Sequence, residues 1–274
     1  MIKVVRITKT EEFMTLIAEQ NYREDIDRHR SMYVYRGVPD ADYRMTTSLY
    51  RNCKHLQKVL EPAILNNFKK YAVIEDPSVE QSVWMQMILG QHYGLPTRLL
   101  DWSHSALVAL HFAATEIDMD KMEDHDCAVW RLDMKELHSL LPDKYQKALS
   151  ESTTSIFSVK TLSNVTESLE QYDEDMQGNS MVVVEPPSIE QRIVNQYSFL
   201  SIVPMGISDV EEFLDKKTYN TVKYVIDGKL RWRLRDMLDQ LNISERIVYP
   251  GLEGLSSWIA RHYFVKEKDV PENK

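Results

Sequence analysis

Between Gln91 and Ala114 the chain reads QHYGLPTRLLDWSHSALVALHFAA, a histidine, an arginine and an aspartate gathered just ahead of an almost wholly apolar stretch. An imidazole titrates near neutral pH, so His92 is a candidate general acid or base, with Asp101 as the group that would orient it. Arg98 can grip an anion through the fork of its guanidinium, and Thr97 faces the same space. A purely structural reading stands beside this one: Arg98 and Asp101 as a buried pair, and His92 as a satisfied histidine on an apolar face.

These residues need elements to hold them. Trp84, Ile88 and His92 recur at helical spacing, Ser78-Val-Glu-Gln81 is a capping-box pattern, and Gly94 suits a left-handed helix end. The spacing therefore predicts a helix that starts after Ser78 and ends near Gly94. Beyond Pro96 a short extended segment leads to Ser103, an expected N-cap for an apolar helix over 106–114. Alternation predicts strands at 2–7, 32–38, 127–133, 181–185, 198–203 and 221–227, and 3.6-residue spacing predicts a long helix over 54–74. Further helices are expected at EEFMTLIAEQ, MKELHSLL, SIEQRIVNQ, KLRWRLRDMLDQL and GLEGLSSWIARHYF. The mixture lacks a regular βαβ period, which favours a helix-rich α+β fold with a polar cleft over a doubly wound sheet. Residues 150–180 turn polar and then acidic without a sustained apolar period, and are expected to form an exposed loop or lid.

Composition sets the outer bounds. A chain of 274 residues, 43% hydrophobic and 27% charged, is ordinary for a globular protein and fits one domain over 1–274. A net charge of −9 disfavours a general polyanion-binding surface, although Arg44, Arg51 and the KLRWRLR segment around Trp232 supply local basic groups. The two cysteines, Cys53 and Cys127, form neither a disulfide framework nor a zinc pattern, and the expected location is the cytoplasm. No apolar run is long enough to span a bilayer, and the opening residues do not read as a leader, so no membrane partner is expected. His104 and His111 could share a helix face, but nothing nearby completes a ligand set, and no metal is expected.

Several motifs resemble one family. Tyr35-Arg36-Gly37 resembles the (Phe/Tyr)-Arg-Gly signature of the FRG domain, and Thr47-Ser48-Leu49-Tyr50-Arg51 follows at a similar interval. The 91–114 stretch resembles that family's longest motif, Arg192 to Gln196 with Phe199 resembles its Arg-x-x-x-Gln-x-x-Phe segment, and YPGLEGL resembles its closing pattern. The resemblance covers about residues 30–265 and implies a common fold with a candidate cleft, without implying a reaction. It nominates Arg36, Arg51, His92, Arg98, Asp101, Arg192 and Gln196 as polar site positions. Tyr-Arg-Gly followed by Thr-Thr-Ser is also similar to the first two elements of ADP-ribosyltransferases, which adds Ser48 as a ligand contact and NAD as an admissible cofactor. Those enzymes use a Glu-x-Glu or Gln-x-Glu tripeptide that this sequence lacks, so a lone Glu185 or Glu190 would have to serve.

Two classes of function stay open. One is a nucleotide-processing enzyme, a hydrolase or transferase with His92, Asp101 and Arg36 as its catalytic set. Arg36, Ser48, Arg51, Thr97, Arg98, Arg192 and Gln196 would then be its ligand contacts. The other is a non-catalytic module that binds a phosphate-bearing ligand or a nucleic-acid end, as a sensor in phage defence would.

Overall fold

A computed structural model describes residues 1–266 except 153 and 155. The strands are β1 (Lys3–Ile7), β2 (Tyr22–Arg23), β3 (Arg28–His29), β4 (Tyr33–Val38), β5 (Leu99–Ser103), β6 (Cys127–Asp133), β7 (Phe157–Ser158), β8 (Val182–Glu185), β9 (Ser198–Ile202) and β10 (Val222–Ile226). Eight of them form one mixed sheet in the order β1-β10-β6-β4-β5-β9-β8-β7, and helices pack around it, giving a helix-rich α+β architecture. Among the described residues no helix is long and apolar enough to cross a membrane.

Alternation along the strands sorts the core. Tyr33 and Tyr35 of β4 join Val129 and Tyr224 under the Ala106–Ala113 and Arg231–Gln240 helices, while Val34 joins Trp102, Trp130 and Leu132 in a second cluster. On β5, Leu100 and Trp102 belong to that second cluster. Leu99 belongs to a third, built with Trp84, Ile88 and Tyr172. Side chains of successive strand residues point to opposite faces, so one short strand can serve two cores.

The middle of the sheet is its weakest seam. β4 and β6 pair over six residues, from Tyr33↔Asp133 to Val38↔Ala128, and β5 and β9 pair over five. Between these two halves, β4 and β5 share a single pair, Tyr35↔Ser103. Past that rung the strands part, at Arg36 and Gly37 on one side and Asp101 and Trp102 on the other.

Four expectations are corrected. The α-helix carrying His92 runs Val83–His92 and is capped by Ser82, whose side chain accepts from the Met85 amide; Ser78 sits in a separate 3-10 turn, Pro77–Glu80, capped by Asp76. Ser103 closes β5, and the cap of the Ala106–Ala113 helix is Ser105. The expected loop over 150–180 contains the helices Val159–Val165 and Leu169–Met176, and Phe157, Leu162, Tyr172 and Met176 are buried. Residues 153 and 155 of that span lie outside the described residues. Half of the basic groups of KLRWRLR are withdrawn from the surface: Arg231 and Arg235 are buried, Lys229 and Arg233 stay exposed, and Trp232 stacks on Phe264 at 5.5 Å.

Candidate functional site

The parted strands open into a cavity of about 300 Å³. Arg36 and Gly37 line it from β4, Asp101, Trp102 and Ser103 from β5, Gln91 and His92 from the Val83–His92 helix, and Arg192 and Gln196 from the segment before β9. Its size suits one small-molecule unit.

Each residue of Tyr35-Arg36-Gly37 has a distinct task. Tyr35 is buried and holds the rung to Ser103. Gly37 meets the Ala106–Ala113 helix so closely that a Cβ there would lie 1.9 Å from the Ala109 carbonyl oxygen, which only glycine tolerates. The Arg36 side chain reaches across the seam, where its NH1 donates to the Asp101 carbonyl oxygen at 2.7 Å. Burial pushes the Arg36 pKa below its ordinary value, opposed by the Asp101 carboxylate, whose Oδ2 lies 3.8 Å from NH1. Its Nε is buried with no partner among the described residues.

His92 closes the end of its helix. Leu95 N–H returns to the Gly90 carbonyl at 2.8 Å and Gly94 takes φ +86°, the glycine-terminated helix end that the sequence predicts. The imidazole Nε2 lies 2.5 Å from a Glu190 carboxylate oxygen, and Tyr93 donates its hydroxyl to the other oxygen at 2.9 Å. These two hydrogen bonds hold Glu190 below the usual carboxylate range. Glu190, not Asp101, therefore orients His92. Asp101 accepts instead from Gln91 Nε2 at 3.0 Å, and the Gln91 carbonyl oxygen accepts from the Thr97 hydroxyl at 2.5 Å. Thr97 thus fixes the cavity wall through Gln91 and does not line it.

The remaining candidates divide. Arg192 lies with its guanidinium 4.8 Å over the Tyr249 ring and makes no ion pair among the described residues, a cation available to a ligand. Gln196 lines the cavity, donating its amide to the Val248 carbonyl at 3.1 Å, while its own carbonyl takes the Ser103 hydroxyl at 2.6 Å. Ser48, Arg51 and Arg98 stand away from the cavity lining. Ser48 clamps the Thr97 backbone, accepting from its amide at 3.0 Å and donating to its carbonyl at 3.2 Å. Arg51 donates to the Thr46 carbonyl at 2.5 Å. Arg98 is buried, with Nε 2.8 Å from Glu61 Oε1 and NH1 2.7 Å from Asp173 Oδ1, so its carboxylate partners are these and not Asp101. Burial pushes the Glu61 carboxyl up and the Arg98 contact only partly opposes it.

The family model of the FRG domain matches residues 31–122. The FRG span contains the Tyr-Arg-Gly strand, the Val83–His92 helix, β5 and the Ala106–Ala113 helix, which supply Arg36, Gln91, His92 and Asp101. Glu190, Arg192 and Gln196 come to the same cavity region from beyond it, so the matched span supplies one wall and later residues supply the other. The comparisons with curated proteins and with solved structures each return no match.

Proposed function

We propose that the cavity binds a phosphate-bearing nucleotide and that the protein hydrolyses it, with His92 as general base. The observation that supports this reading is a pair of guanidiniums, Arg36 and Arg192, lining one cavity from its two walls, beside an imidazole oriented by a carboxylate. Guanidinium groups suit phosphate through paired N–H donors, and Glu190 supports the positive charge that His92 gains when it takes a proton from water. The water oxygen then attacks a phosphoester or glycosidic centre, and the leaving group departs with the bond electrons. Trp102, Phe112 and Tyr35 supply the apolar surface that a base or ribose needs. Glu190 is engaged by His92 and Tyr93, which fits a role in orienting the imidazole better than that of an isolated transferase glutamate.

The test is turnover. NAD and a panel of nucleotides are incubated with the protein, and products are separated by chromatography, free base reporting glycosidic cleavage and free phosphate or nucleoside reporting ester cleavage. Arg36→Ala and His92→Ala should each abolish the product. Saturable binding without product would replace the enzyme by a sensor, and absence of both would overturn the nucleotide reading.

A further inference from the structure

A second cavity, of about 550 Å³, adjoins the first, and Arg192 lines both. The wall between them includes the end of the Ala106–Ala113 helix, where Phe112 lines the first cavity and His111 the second. The Tyr249 ring, which carries the Arg192 guanidinium, also lines the second.

Two residues lining the second cavity bury unmet donors. His111 is fully buried, and Arg235 NH1 donates to its Nδ1 at 2.9 Å. A guanidinium has no acceptor, so Nδ1 must carry the lone pair and the ring proton sits on Nε2. That Nε2 is buried without a partner among the described residues, and so is Nε of Arg235. The other charges here are matched within the fold: Arg235 NH2 lies 2.5 Å from Glu245 Oε1, and Arg261 binds Glu245 at 2.7 Å and Asp239 at 2.7 Å. What stays open to a guest is the Arg192 guanidinium, the Glu253 carboxylate as an acceptor of hydroxyl groups, and apolar surface from Met119 and Ala260. A phosphate-linked nucleoside has this character, with an anion at one end, hydroxyls on the ribose and an apolar face on the base.

We propose that the ligand is a dinucleotide, its bridging phosphates held at Arg192 and one nucleoside in each cavity. This rests on the nucleotide reading of the first cavity and names the substrate class for it.

Binding of AMP, NAD and diadenosine diphosphate to the full chain separates the two ideas. The dinucleotides should bind at least tenfold more tightly than AMP. Ser257→Trp and Ala260→Trp, at exposed helix positions lining only the second cavity, should bring the dinucleotides to the affinity of AMP and leave AMP itself unchanged. Arg36→Ala should weaken all three. Dinucleotides no tighter than AMP, or dinucleotide affinity insensitive to both tryptophan variants, would overturn the second subsite while the first stands. Failure of AMP and both dinucleotides to bind would overturn the nucleotide reading and this inference with it.

Discussion

The imidazole of His92 and the carboxylate of Glu190, 98 residues apart in the chain, meet at 2.5 Å beside the cavity. An imidazole that donates from Nε2 to a carboxylate keeps its other nitrogen as the basic one, and the carboxylate stabilises the cation formed during proton transfer. Glu190→Gln retains an acceptor and loses the charge. In the proposed hydrolysis kcat should fall about 10²- to 10³-fold, with AMP affinity changed little and partial rescue by Glu190→Asp. Steady-state kinetics beside equilibrium binding checks this, and an unchanged kcat would remove Glu190 from the mechanism.

Gly37→Ala places a methyl group against the backbone of the Ala106–Ala113 helix, where no side chain can yield. Overpacking of this kind should destabilise the fold by about 3 kcal/mol. Urea denaturation measures it, and a change near zero would mean that the helix slides freely over β4.

Arg98→Met strips Glu61 of its buried counter-charge and should cost about 3–5 kcal/mol of stability. Adding Glu61→Leu should recover part of that loss. If Arg98 were a ligand contact instead, the first variant would lower nucleotide affinity at unchanged stability, so measuring both quantities decides its role.

Acid should destabilise the protein in two windows. Burial pushes His138 down to about 4 and His111 down to about 3, from an ordinary 6.5. As pH falls below 6.5 the unfolded chain takes up protons that the folded one refuses, so stability declines toward pH 4 by on the order of 3 kcal/mol for each histidine. Burial works against the Glu245 carboxylate, yet the Arg261 hydrogen bonds and the Arg235 charge outweigh it and hold the group at about 2. Its contribution is complete above 4.5 and is lost between about 4.5 and 2. Urea midpoints from pH 7 downward should trace both declines, and His138→Gln should flatten the first.

Periodic elements were legible in the sequence because their burial is one-sided or complete: β4, β6 and β10 alternate or run apolar, and the Ala106–Ala113 helix is apolar all round. The gathering of Arg36 with His92 was legible only through the FRG resemblance, since nothing local links β4 to the Val83–His92 helix. Ion-pair partners were not legible. Glu61 and Asp173 claim Arg98 from far along the chain, and Glu190 sits in a segment whose only local hint is the neighbouring Arg192. The 150–180 span misleads by composition: Leu162, Leu169, Tyr172 and Met176 are core residues, but Thr166, Glu167 and Ser168 interrupt their period between two helices. Arg231 and Arg235 mislead for a related reason, because Thr115, Glu116 and Glu245 meet them from other segments.

The Tyr35↔Ser103 rung has a practical meaning for anyone redesigning this protein. The register of that rung fixes where the two halves of the sheet begin to diverge, while the side chains at 36, 91 and 102 set the volume of the hollow. Sliding one strand by two residues keeps every side chain on its own face and starts the fork earlier or later, a change of shape that no single substitution makes.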